Sequence, residues 1–129
     1  LRKGKAMIVG IIKCLPEKWY NEVGGEKYLT KTFDVNIGKK DWYFQMSLAS
    51  KPKLIHDILY CYIQINGYLR YRLNIADIRP GGTMVFNDRP VPQTWNAKYW
   101  LILTAPVVKP EKPIPFKGFQ GFRYTGEIF

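Results

Sequence analysis

The chain predicts a small α+β domain built on a mixed, curled β-sheet with one or two short helices. Six or seven short segments rich in β-branched and aromatic residues are separated by Pro, Gly and Asn-Gly turn signals, while stretches with helical spacing are brief. The 129 residues suit one domain of a size that buries roughly two-thirds of the surface its unfolded chain exposes. Residues 1–129 therefore read as a single unit, with 106–129 a Pro- and aromatic-rich C-terminal extension. Closure of the sheet into a barrel would leave no exposed edge.

The elements follow in order. Met7 to Leu15 is β-branched and apolar and predicts a largely buried first strand, ended by Pro16. Pro16 to Val23 predicts a short helix with Trp19 and Val23 on one face, stopped by Gly24-Gly25. Tyr28 to Val35 alternates in part and reads as a strand; Trp42 to Leu48, with three successive rings, is a stronger one. Lys51-Pro52-Lys53 breaks it, Leu54 to Ile65 enters a hairpin and Tyr68 to Ile78 leaves it. Pro80-Gly81-Gly82 signals a turn, Thr83 to Phe86 a short strand and Asn87 to Asn96 a loop. Ala97 to Ala105 is the last clear strand, buried on both faces for most of its length. Four prolines between Pro106 and Pro115 impose an extended course. Beyond them Phe116, Phe119, Phe122, Tyr124 and Phe129 must fold back over the sheet or bind something, because leaving five rings in water invites aggregation.

The hairpin carries the functional signal. A two-residue Asn66-Gly67 turn sets Ile65 opposite Tyr68, Ile63 opposite Arg70 and Cys61 opposite Arg72, mixing oil with charge on both faces. A three-residue loop, Ile65 to Gly67, re-sorts every side chain. Leu59, Cys61 and Ile63 then meet Leu73, Tyr71 and Leu69, while Tyr60, Tyr62 and Gln64 meet Arg72, Arg70 and Tyr68. We expect the second register. The resulting face of rings and guanidinium groups suits a nucleic-acid strand, whose bases stack and whose phosphates need cations. It equally suits an ordinary solvated sheet face in which Tyr and Arg lie flat against each other.

Charge points the same way. Lys plus Arg number 20 against 10 Asp plus Glu, a formal charge of +10, and a field of that sign attracts polyanions. Nucleic acid, RNA or DNA, is the expected partner. A membrane is not, since no apolar run approaches the roughly 20 residues needed to span one. Cys14 and Cys61 sit among apolar residues and read as reduced, small hydrophobes, which suits a cytoplasmic location. His56 is the single histidine and reads as a surface residue, and carboxylates are scattered singly. No cofactor, metal site or catalytic set is therefore expected. Lys117-Gly-Phe-Gln-Gly-Phe-Arg-Tyr124 reads as a Gly-hinged aromatic loop whose Lys117 and Arg123 can reach phosphate.

Three pieces of the chain between Ile8 and Ile78 carry a family likeness. They are the strand Ile8 to Leu15 followed by a helix and Gly25-Glu26-Lys27, the aromatic strand and Ser50-Lys51-Pro52 turn within Trp42 to Ile55, and the apolar strand after it. Together they resemble the ASCH domains of the PUA-like superfamily, β-barrel modules associated with RNA or modified nucleic acids. Of the family's Gly-x-Lys-x-x-Glu-x-Arg signature only Lys27 transfers, its glutamate and arginine falling on Thr30 and Thr32. The resemblance implies a PUA-like pseudobarrel with a cleft beside the first helix, with Lys18, Trp19 and Lys27 near its mouth.

The expectation that results is a non-catalytic nucleic-acid-binding module, RNA slightly ahead of DNA. Its contacts would be Lys18, Trp19, Lys27, Tyr60, Tyr62, Tyr68, Arg70, Arg72 and Arg123. One alternative, resting on the resemblance, is a small nucleic-acid-processing enzyme with Lys27 as electrostatic stabiliser and Glu26 as base. Another is a protein- or glycan-binding surface built from Trp95, Trp100 and the tail rings.

Overall fold

Along Tyr43–Leu48 every second side chain, Phe44, Met46 and Leu48, is buried, the signature of a strand with one face on a core. That segment is β2 of a computed structural model that describes residues 7–15, 25–86 and 93–129. The other elements are β1 (Gly10–Cys14), α1 (Gly25–Asp34), β3 (Tyr60–Ile65), β4 (Tyr68–Phe86), β5 (Gln93–Val108), β6 (Ile114–Pro115) and β7 (Phe122–Thr125). The strands form one sheet in the order β2-β5-β4-β3-β1-β7, with β6 added to the start of β4. Among the described strands only β1 and β3 run parallel.

The fold is thus a small, sheet-dominated α+β structure. Its sheet is open: the path of strands has two ends, β2 and β7. Ile11 of β1, Leu48 of β2, Ile63 of β3, Leu73 of β4 and Leu101 of β5 nevertheless meet in one buried cluster, so the sheet curls around a common core. Phe33 of α1 plugs it, its ring 4.7 Å from Tyr71, 5.1 Å from Phe44 and 5.6 Å from Trp42. Each such ring contributes about 1.5–3 kcal/mol by leaving water. No helix of the described residues is long and apolar enough to cross a membrane.

Three local expectations change. Residues Tyr28 to Val35, read as a strand, lie largely in α1. Their partial alternation and two threonines favour extension, but Phe33 reaches the core from a helix, and tertiary burial outweighs weak propensity. The helix predicted over Pro16 to Val23 falls outside the described residues. Pro80-Gly81-Gly82 does not turn the chain, because β4 continues through it to Phe86. A Cβ on Gly81 would collide with the Ala97 carbonyl oxygen, so the glycine permits close crossing with β5 instead of a reversal. Finally β5 begins at Gln93 and ends at Val108, longer at both ends than expected, since β4 offers it a continuous partner.

The three-residue loop expected over Ile65 to Gly67 is not formed, and the faces are sorted by a bulge instead. Asn66 and Gly67 both have positive φ, 49° and 87°, and Ile65 pairs with Tyr68, so the turn has two residues. One step on, Gln64 pairs with Leu69 but Ile63 with Tyr71, leaving Arg70 as the extra residue of a bulge. Beyond the bulge Tyr62 faces Arg72 and Cys61 faces Leu73, two residues away from the expected partners. A shift of two preserves the faces, so Cys61, Ile63, Tyr71 and Leu73 point into the main core as expected. Leu69 moves to the opposite face, and Leu59 is 57 % exposed.

Candidate functional site

The C-terminal extension decides what the opposite face does. After pairing with the start of β4 through β6, the chain donates the Phe116 N–H to the Gly67 carbonyl at 2.9 Å. It crosses outside β3 and β1, pairs with β1 as β7, and returns over Tyr62. Phe116, Phe119, Ile128 and Phe129 pack on Ile12, Tyr62 and Leu69 there. Between this crossing, the end of β1 and the hairpin turn lies a groove of about 600 Å³.

Its walls come from three elements. The end of β1 supplies Lys13, Cys14 and Leu15; the hairpin supplies Gln64, Asn66 and Gly67; the loop before β7 supplies Gly118 to Gly121, with Phe119 as its ring. Gln64 is 5 % exposed. Its Nε2 donates to the Phe116 carbonyl at 2.9 Å, which anchors the amide and leaves Oε1 without a hydrogen bond among the described residues. The Arg123 guanidinium lies 4.4 Å from the centroid of the Phe119 ring and fixes a cation at the loop.

The groove is electropositive. Lys13 Nζ meets the Gly121 carbonyl at 3.4 Å, and no carboxylate lines the groove among the described residues. Burial holds the Lys13 amine below the usual lysine range, against an opposing pull from the Cys61 and Cys14 thiols. Burial also raises the Cys14 thiol, countered by the Phe119 N–H and by Lys13 and Arg123. Cys61, fully buried, is pushed up to about 12; both thiols are free.

A second cavity, of about 380 Å³, lies between α1, the start of β4 and the segment after β5. It differs in charge. Asp34 Oδ1 accepts from the Tyr71 hydroxyl at 2.8 Å and faces Lys109 Nζ at 3.3 Å, and Glu111 and Arg70 add one charge of each sign to the lining. Paired charges of both signs leave little net field for a polyanion.

The expected contacts are dispersed. Tyr62 is fully buried; its hydroxyl donates to the Phe129 carbonyl at 3.2 Å and accepts the Ile128 N–H at 3.0 Å. Arg72 lies half-buried over the Tyr60 ring, at 4.3 Å, and donates from Nη1 to the Phe129 carbonyl. The solvated platform of Tyr60, Tyr62 and Arg72 is therefore corrected: register brings them together, but the tail covers them. Arg70 leaves that face because the bulge diverts it to the second cavity, its Nε donating to the Ile65 carbonyl at 3.2 Å. Tyr68 is 40 % exposed beside the turn, with Arg70 5.2 Å from its ring. Arg123 is exposed and stacks on Phe119, a lining residue of the groove. Lys27 is exposed on α1 and lines neither cavity; Lys18 and Trp19 fall outside the described residues. Trp100 is buried, donating from Nε1 to the Gly82 carbonyl at 3.1 Å, so it offers no open aromatic surface.

Comparison of the chain with known protein families, curated proteins and solved structures returned no match. The groove residues Lys13, Gln64, Asn66 and Phe119 were not among the expected contacts. One signal for them exists in the sequence: a lysine interrupting an otherwise apolar first strand, and a glutamine within an apolar one, are polar groups at positions that demand a partner.

Proposed function

We propose that the protein is a non-catalytic nucleic-acid-binding module that holds an unpaired nucleotide of a single strand in the groove between β1, the hairpin turn and the 118–121 loop. One observation carries the reading: this is a concave site, without an acid among the described residues, in a chain of charge +10, walled by a lysine, an aromatic ring backed by arginine and an anchored amide. Those groups match the parts of a nucleotide. The ring stacks a base, Gln64 Oε1 accepts from a base N–H, and Lys13, Lys117 and Arg123 meet phosphate. RNA comes ahead of DNA on the strength of the ASCH resemblance, and a PUA-like assignment of the curled sheet stands on that same likeness.

The test is titration of a fluorescent single-stranded oligonucleotide, read by anisotropy across a salt series. Log affinity should fall with log salt by about 0.7 per phosphate neutralised. Gln64→Leu should change which base is preferred while leaving the salt slope alone, because a base contact specifies and a phosphate contact positions. A flat salt response, or equal affinity for all bases before and after Gln64→Leu, contradicts the reading.

A further inference from the structure

Lys13 is placed unlike the other lysines that the structure describes. It lines a groove in which no carboxylate stands among the described residues, is itself partly buried, and its amine donates a hydrogen bond to the Gly121 carbonyl at 3.4 Å. Lysines such as Lys51 and Lys53, by contrast, stand exposed to water. A desolvated amine in a ligand-sized cavity is the arrangement by which proteins make lysine a nucleophile toward carbonyl carbon. The ionisable groups that act on it are the Cys61 and Cys14 thiols, and Arg123 acts on Cys14 in turn. Burial outweighs the thiols and holds the amine below its ordinary range. Arg123, fixed over Phe119 at the same loop, supplies the site with a phosphate-binding cation.

We propose that Lys13 forms an imine with an aldehyde borne on a phosphorylated sugar, such as the ring-opened sugar of an abasic site in a strand lying in the groove. The inference rests on the nucleic-acid reading for that strand, whereas the lysine chemistry stands on the groove alone. The Nζ lone pair attacks the aldehyde carbon and the C=O π pair moves to oxygen. A proton passes from nitrogen to that oxygen, giving a carbinolamine. Addition of one further proton expels water and leaves the protonated imine, with no oxidant or reductant consumed. Loss of the base opens the part of the groove that an intact nucleotide fills, which lets the sugar carbon approach Nζ.

The experiment incubates the full chain with a single-stranded oligonucleotide carrying one abasic site, adds cyanoborohydride to reduce any imine, and maps the adduct by peptide mass spectrometry. A parallel arm uses glyceraldehyde 3-phosphate. The expected result is an adduct at Lys13 at least tenfold above that at Lys51 or Lys53, absent from Lys13→Arg, which keeps the charge. Mapping on the unaltered chain decides the site even if the variant does not fold. Trapping of the sugar phosphate but not of the strand assigns the reactive lysine to a free phosphorylated aldehyde. Adducts spread over exposed lysines in both arms, or none at Lys13, overturn the inference. If an intact oligonucleotide still binds with its salt dependence, that failure leaves the binding reading in place.

Discussion

Two arginine–ring pairs, Arg72 over Tyr60 at 4.3 Å and Arg123 over Phe119 at 4.4 Å, have nearly the same local geometry and opposite environments. Arg72 lies under the C-terminal segment, donates to the Phe129 carbonyl, and has its Nε buried without a partner. Arg123 is exposed, over a ring that lines a groove without an acid among the described residues. Stacking a guanidinium on a ring is therefore not by itself a sign of ligand binding; what distinguishes the pairs is whether another part of the chain already occupies the donors.

The largest test of this contrast is Tyr62→Ala. It removes a fully buried ring and both hydrogen bonds to residues 128 and 129, and should cost about 3–5 kcal/mol in urea unfolding. A cost under about 1 kcal/mol would mean that the segment does not seal that face. Arg72→Ala should come next, at about 1–2 kcal/mol, because a charged hydrogen bond and a ring contact are lost while an unsatisfied donor is also removed. Its salt slope for oligonucleotide binding should not move. Arg123→Ala reverses the pattern: stability within about 0.5 kcal/mol of the parent, and a salt slope shallower by about 0.7. If Arg72 and Arg123 exchange these behaviours, the ligand lies on the sheet face and the groove assignment is wrong.

The smallest effect concerns pH. Burial lowers the Lys13 pKa in the folded chain below its ordinary value of 10.5, so between the two values the unfolded chain binds more protons and stability rises with pH. The burial penalty is complete below the folded pKa and disappears as pH climbs toward 10.5. Lys13→Met should therefore raise stability at neutral pH and flatten this alkaline rise in a series of denaturation midpoints. An unchanged slope would place the amine in water.

The hairpin shows what could be read from the chain in advance. Alternation showed that Cys61, Ile63, Tyr71 and Leu73 share one face, and the expected parity was right even though the pairs were two residues out. Beyond Arg70, a bulge there and a three-residue loop give the same parity, and periodicity cannot separate them. The α1 segment was less legible, because Thr30, Thr32 and Val35 favour a strand locally and only the packing of Phe33 against Trp42, Phe44 and Tyr71 rewards a helix. The groove was least legible. No local pattern can join Lys13 to Gly121, since the two are 108 residues apart in the chain.

The amino-acid order alone determined the strand periodicities, the positive charge and the separation of an oily face from a face of tyrosine and arginine, because these depend on residues within a few positions of one another. Only the tertiary structure decided that Tyr62, with Tyr60 and Arg72 beside it, lies beneath the C-terminal segment and that the open groove lies at the end of β1. Burial depends on which distant segment lies on top, and here that segment is the run of rings from Phe116 to Phe129.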